Sequence, residues 1–168
     1  MKKVALITYN EKAVNYEAFS RLKELSNGKT LVIKQAAIIE KDRSGKKVSI
    51  RDGVDYESTD RILRGGLIGM IIGILAGPLG ILCGWIIGDV AGMGSNYIKA
   101  KKTTTIFDSI SQVLDDGSVG LLVYMNESNE DIIDTMLVKD LNGVIVRFNY
   151  EEVEADIELA KQHENTKA

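Results

Sequence analysis

The chain has 168 residues, enough for one domain of ordinary size and an inserted segment. Its apolar fraction of 45% and charged fraction of 27% are typical of globular proteins, which excludes a mainly disordered chain and a protein of many membrane spans. The net charge of -3 at pH 7 gives no electrostatic reason to expect a nucleic-acid partner, and we predict none.

Residues 1–57 predict a strand, a helix and a strand pair. The apolar run at residues 4–9 predicts a buried strand and is too short for a signal peptide, so we do not expect export. Asn10 is placed to cap a helix that ends at Asn27-Gly28. A β-rich stretch at residues 31–39 then turns at residues 42–45 into an alternating strand that contains Val48 and Ile50.

A glycine-rich apolar segment follows. From Gly65 to Gly88 no residue is charged, and Pro78, the only proline, lies near the centre. Glycines four apart share one helix face and favour close helix packing, as in lipid. Since proline interrupts a helix, we predict a helical hairpin turning at Pro78. The predicted packing and oligomerisation positions are Gly65, Gly69, Gly73, Gly77, Gly80, Gly84, Gly88 and Gly92.

The ends of this segment favour a hairpin over a single membrane span. If strands on both sides share one sheet, the segment begins and ends on the same side of any membrane. Each arm of about 20 Å is shorter than the ~30 Å hydrocarbon core, which suits a re-entrant hairpin or hairpins clustered between subunits. Basic residues at both ends predict that both are cytoplasmic: Arg61, Arg64, Lys99, Lys101 and Lys102.

Residues 103–150 predict a helix, a strand, a second helix and a strand. The first helix ends at Asp116-Gly117, and a strand covers residues 119–125. Ser128 and Asp131 resemble a capping box for the next helix, which ends at Asn142-Gly143 before a strand at residues 144–148. Residues 151–168 predict a terminal helix or tail, acidic at its start.

These elements predict an α+β fold, a ferredoxin-like (split βαβ) sheet with one extra edge strand and an inserted glycine-zipper hairpin. The predicted organisation is a first half of the ferredoxin-like domain at residues 1–57, the hairpin at 58–102, the second half at 103–150 and the terminal helix or tail at 151–168.

The order of the motifs resembles a bacterial family, domain of unknown function 1269, often labelled a predicted membrane protein. The resemblance rests on four segments in this order: VALITYNEKAVNYEAFSRLKEL, AAIIEKDRSGKKVSI, GGLIGMIIGILAGPLGILCGWIIG and GLLVYMNESNEDIIDTMLVKDLNGVIVRFNYEEVEADIELA. It implies a ferredoxin-like domain that carries a helical hairpin and is associated with a membrane. It implies no catalytic residues.

Catalytic, cofactor and metal sites are not predicted. The sequence Gly92-Met93-Gly94 lacks the context of a nucleotide-binding loop, and the lone His163 has no neighbouring ligand set. Cys83, the only cysteine, lies among apolar residues, excludes an internal disulfide and fits a reducing compartment. We therefore expect no enzyme and no cofactor.

The leading hypothesis is a non-enzymatic protein at the cytoplasmic face of the cell membrane, with lipid and further copies of itself as partners. A soluble homo-oligomer, such as a ring, shell or filament with the hairpins buried between subunits, is the alternative. A regulatory module for a small ligand is a third hypothesis, by fold analogy alone.

Overall fold

The protein, described by a computed structural model over residues 1–57, 66–76 and 105–167, has an α+β fold. Its sheet contains five antiparallel strands. They are β1 (Lys2–Thr8), β2 (Leu31–Lys41), β3 (Val48–Asp55), β4 (Val119–Glu127) and β5 (Val144–Asn149). The helices of the described part are α1 (Lys12–Leu25), α2 (Leu67–Ala76), α3 (Ile106–Val113), α4 (Asp131–Ile133, continued by a π-helical turn at Asp134–Lys139) and α5 (Tyr150–Lys167).

The strand order is β3-β2-β4-β1-β5. Strand β4 therefore lies between β1 and β2, and β1 lies between β4 and β5, although neither pair of neighbours is consecutive in the chain. Strand β4 is buried at every residue but one, and β1 is apolar and buried from Val4 to Ile7, as expected for strands covered on both faces.

Each face of the sheet carries its own hydrophobic core, because successive strand residues point to opposite faces. In β1, Val4 and Leu6 belong to the core that includes residues of α2, α3 and α5, whereas Ala5 and Ile7 belong to the core that includes residues of α1 and α4. We call these the α2 face and the α1 face. Helix α2 is part of the glycine-rich segment, so this part of the segment is buried in the core of the domain.

The predicted chain reversals are confirmed by the backbone. Gly28, Gly45 and Gly117 all have φ between 73° and 77°, a conformation that favours glycine. Asn142, in the predicted stop after α4, has φ 55°. Local sequence therefore predicted these ends because each depends on one residue's steric freedom.

Two predicted helix caps are wrong. Glu11 rather than Asn10 holds the position before α1, and no side-chain cap bond forms there. At α4, Asn129 Oδ1 accepts the N–H of Asp131 at 3.0 Å. Ser128 is instead paired through its own N–H with the carbonyl of the residue before β2, 2.9 Å away. A tertiary contact thus replaces the local capping box.

Candidate functional site: the seat of the glycine-rich segment

Helix α2 lies on the sheet with its large apolar side chains turned inward. Five of its residues are buried in the core of the α2 face: Leu67, Ile68, Ile71, Ile72 and Leu75. Their spacing of one, three and four residues marks one side of a helix. The first part of the glycine-rich segment is therefore a core element of this domain.

Small residues lie on the other side of α2, next to the half-buried Met70 and Ile74. Gly73 and Ala76 are exposed, and Gly69 is partly exposed. A Cβ added at Gly73 would find no atom within 4 Å. The sheet therefore does not explain the absence of a side chain at Gly73, since the domain leaves room for one there.

Gln35 of β2 holds the beginning of α2. Its side chain is 1% exposed, and its Oε1 accepts the N–H of Ile68 at 3.1 Å. Its Nε2 donates to Asp55 Oδ2 of β3 at 2.9 Å. A Cβ at Gly66 would overlap Gln35 Nε2, so residue 66 must be small for this bond pair to form. One amide thus joins two strands to the first turn of the helix.

An irregularity in β2 gives Gln35 this position. The register with β4 shifts between Ile33 and Gln35, which leaves Lys34 as an additional residue. Ile33 belongs to the core of the α1 face, whereas Lys34 Nζ lies 5.8 Å from the ring centroid of Tyr124 on the α2 face. The bulge therefore directs both Lys34 and Gln35 towards the α2 face.

Two stacked tyrosines lie on the same face. The ring centroids of Tyr124 and Tyr150 are 5.8 Å apart with an interplanar angle of 21°, and Lys2 Nζ lies 4.6 Å from the Tyr150 centroid. Burial, followed by the negative charge of Glu57, raises the pKa of Tyr124 to about 12. Lys34 is paired with this same Glu57 at 2.9 Å. These side chains interact with one another, so the cluster joins β1, β2, β4 and α5.

The chemistry of this site is that of helix packing. Within the described residues, no group of three or more His, Cys, Asp or Glu side chains is arranged to hold a metal ion. Across residues 1–57, 66–76 and 105–167, we find no helix with both the length and the apolar character needed to cross a membrane. What the site presents is a helix with an apolar side on the sheet and a small-residue side turned away.

Of the residues predicted from sequence to form the site, Gly69 and Gly73 lie on α2. The other predicted positions lie outside the described residues: Gly65, Gly77, Gly80, Gly84, Gly88 and Gly92, the turn residue Pro78, and the basic residues Arg61, Arg64, Lys99, Lys101 and Lys102. Their predicted roles stay predictions.

Sequence reasoning missed Gln35 and Gly66. A polar amide within the apolar run of β2 was a usable signal, because a buried amide needs partners. Its partners, at residues 55 and 68, could not be identified without the fold. Gly66 lies beside the four-residue glycine pattern, so that pattern does not single it out.

Comparisons of the chain with protein-family models, with curated proteins and with solved structures give no match. The resemblance to domain of unknown function 1269 therefore stays a prediction based on the motifs quoted above.

Proposed function

We propose that this chain is a non-enzymatic, membrane-associated protein. A ferredoxin-like domain lies at the cytoplasmic face of the cell membrane. The glycine-rich hairpin that begins with α2 binds further copies of the chain, and the part of the hairpin after Ala76 binds lipid. The observation that carries the proposal is the two-sided character of α2, whose apolar side belongs to the sheet and whose small-residue side does not.

The strand order supports the ferredoxin-like assignment. In a split βαβ unit, a third strand lies between two strands joined by a helix. Here β1 and β2 are joined by α1 and separated by β4, and β4 and β5 are joined by α4 and separated by β1. Strand β3 then extends the edge beside β2.

The packing of α2 supports different roles for the two parts of the hairpin. Burying each of its five large side chains stabilises the fold by about 1.5 to 3 kcal/mol, so packing of α2 on the sheet contributes roughly 10 kcal/mol to stability. If α2 moved into lipid, its apolar side chains would stay out of water, but the apolar surface of the sheet beneath it would become exposed to water. We therefore assign α2 to the domain and the lipid contact to the residues that follow Ala76.

The sequence after Ala76 supports the lipid contact. No charge occurs between Gly77 and Gly88, and lysines follow the apolar part. Asp89 limits how deep the far end would lie, because a carboxylate at the bilayer centre is costly. A shallow, re-entrant arrangement fits these residues.

Cell fractionation tests the membrane association. The untagged chain is expressed, the cells are lysed without detergent, and the cleared extract is ultracentrifuged. We expect the chain in the membrane pellet after a carbonate wash and in solution after detergent extraction. Recovery in the supernatant without detergent would contradict the proposal.

A matched pair of substitutions tests the role of the small-residue side. Gly73→Leu adds bulk where the domain leaves space, so we expect a folded domain with a smaller assembly in detergent. Ala13→Leu adds the same side chain to an exposed position of α1 and should change nothing. Normal assembly of Gly73→Leu, measured by light scattering, would refute the packing role.

One observation favours a second candidate, a soluble homo-oligomer with the hairpins buried between subunits. The first part of the apolar segment is buried in the core of its own domain, so this part needs no lipid to cover it. A discrete large particle in the detergent-free supernatant would support this candidate and replace the membrane proposal.

A further inference from the structure

The two outer strands of the sheet are β3 and β5. An outer strand presents backbone N–H and C=O groups that another strand can pair with. Among the described residues, none forms a ladder with the outer side of either strand. The two edges differ in how they are protected against such pairing.

Strand β3 is protected. Its register with β2 shifts between Ile38 and Ile39, and it carries Arg51, Asp52 and Asp55. Although Arg51 forms an ion pair with Glu40 on the neighbouring strand, its side chain stays 56% exposed. Bulges and charges are the usual means by which an edge avoids pairing with a further strand.

Strand β5 has no such protection. It pairs with β1 from Val144 to Asn149 without a register shift, and Val144 is 60% exposed. Its only charged side chain, Arg147, is bound by three carboxylates: Nε and Nη2 donate to Glu127 at 2.9 and 3.0 Å, Nη1 donates to Asp134 at 2.9 Å, and Glu130 Oε2 lies 3.6 Å from Nε. Since Glu127 is fully buried, the charge of Arg147 is directed away from the edge.

We propose that the outer edge of β5 binds β5 of a second copy of this chain, as an antiparallel pair about a two-fold axis, so that the two sheets become one. A second copy is the occupant because the strand is complementary to itself in one register. This inference is independent of the membrane association proposed above.

Geometry fixes that register. Val146 and Phe148 belong to the α2 face and Ile145 to the α1 face. With a two-fold axis perpendicular to the sheet, residues of the same face must lie opposite each other, so the axis passes through a residue. An axis at Arg147 would make the central pair on the α1 face two opposed guanidinium groups instead of an apolar pair, which is less favourable. An axis at Ile145 would leave only a short ladder within β5.

An axis at Val146 keeps the two Arg147 side chains from lying opposite each other and gives a longer ladder. Val146 then lies opposite its own copy, and Val144 lies opposite Phe148 of the copy, which makes every directly opposed pair on the α2 face apolar. Ile145 lies opposite Arg147, whose charge is already neutralised by its own Glu127. Aromatic and β-branched pairs of this kind stabilise antiparallel strands.

Disulfide trapping in the full chain tests the register. In a Cys83→Ser background, Val146→Cys places two thiols directly opposite each other, within the Cα range of about 4.4 to 6.8 Å that a disulfide needs. Val144→Cys is the matched control, since it is more exposed but its two copies would lie about 13 Å apart along the strands. We expect most of the Val146→Cys chain, and only a trace of the Val144→Cys chain, to form a disulfide dimer under mild oxidation.

A third variant distinguishes edge pairing from chance collision. Val144→Lys, added to the Val146→Cys chain, places a charge opposite Phe148 at an exposed position and should leave the melting temperature unchanged. We expect it to reduce the dimer yield at least tenfold. Failure of Val146→Cys to form the dimer while it remains folded, equal yields from both cysteine variants, or no effect of the lysine would each overturn the proposal.

Discussion

At the scale of single residues, the position of α2 on the sheet depends on the buried amide of Gln35 and on Gly66, which leaves space for that amide. Gln35 uses both ends of its amide, one towards Ile68 and one towards Asp55. Loss of a hydrogen bond to a buried group leaves its partner unsatisfied, which costs about 1 to 3 kcal/mol. The space for the amide exists only because residue 66 has no side chain.

Gly66→Ala should therefore destabilise the protein. The added Cβ displaces the Gln35 amide, whose flexible chain moves aside but loses its bonds, so we expect a loss of about 1 to 3 kcal/mol in the free energy of unfolding. Gly73→Ala is the matched control in the same helix. It meets no atom and gains helix propensity, so it should be neutral or stabilising by up to about 1 kcal/mol. Urea unfolding followed by circular dichroism measures both, and equal effects would contradict the role of Gln35.

At the scale of elements, α4 is bonded to a residue that is distant in sequence. Its second part is π-helical, with N–H groups bonded five residues back, as from Asp140 to Thr135 and from Gly143 to Val138. The carbonyl of Leu137 accepts the hydroxyl of Tyr9 at 2.6 Å. Tyr9 thus joins the end of β1 to this turn, across a sequence separation of 128 residues.

Tyr9→Phe should loosen the π-helical turn. Removal of the hydroxyl leaves the Leu137 carbonyl without this partner in a buried setting, so we expect a loss of about 1 to 3 kcal/mol in stability. Hydrogen exchange should accelerate at residues 138–143 more than in α1. Tyr16→Phe, at a position 44% exposed on α1, is the control and should change neither measurement. Unchanged exchange in Tyr9→Phe would show that the turn forms without the bond.

Local sequence signals predicted the helices and strands of the described residues. The features that they did not predict depend on tertiary contacts. Glycines at positions 28, 45 and 117 mark chain reversals because their φ values require them. The bulge at Lys34 and the π-helical turn are bonded to partners distant in sequence, and a local sequence window does not contain those partners. The small-residue side of α2 followed from glycine spacing, whereas its seat on the sheet required knowledge of the strand order.

At the scale of the whole molecule, ion pairs join the two halves of the chain. Lys3 of β1 contacts Glu127 at 3.3 Å and Glu130 at 2.8 Å. Burial alone would lower the pKa of Lys3, but hydrogen bonds to Glu130 and Glu127 raise it above its usual value. The same balance of burial against its hydrogen bonds to Glu127 raises the pKa of Arg147. Residues far apart in the sequence therefore belong to one network of ion pairs.

Alkaline pH should destabilise the fold through its buried tyrosines. Burial raises the pKa values of Tyr9 and Tyr124, the latter to about 12. Between pH 10 and about 12, the unfolded chain loses these protons while the folded chain retains them, so the free energy of unfolding decreases as pH rises. Each unit of pKa difference corresponds to about 1.4 kcal/mol.

Absorbance at 295 nm and circular dichroism, recorded together during an alkaline titration, measure this linkage. We expect the late tyrosine ionisation to coincide with loss of structure, because these hydroxyls ionise most readily once the chain opens. Tyr124→Phe removes one linked group, so its stability should decline less steeply between pH 10 and about 12. An identical slope in the variant would show that the Tyr124 hydroxyl is free to ionise in the folded state, and the tyrosine pair would then be a surface feature of the domain.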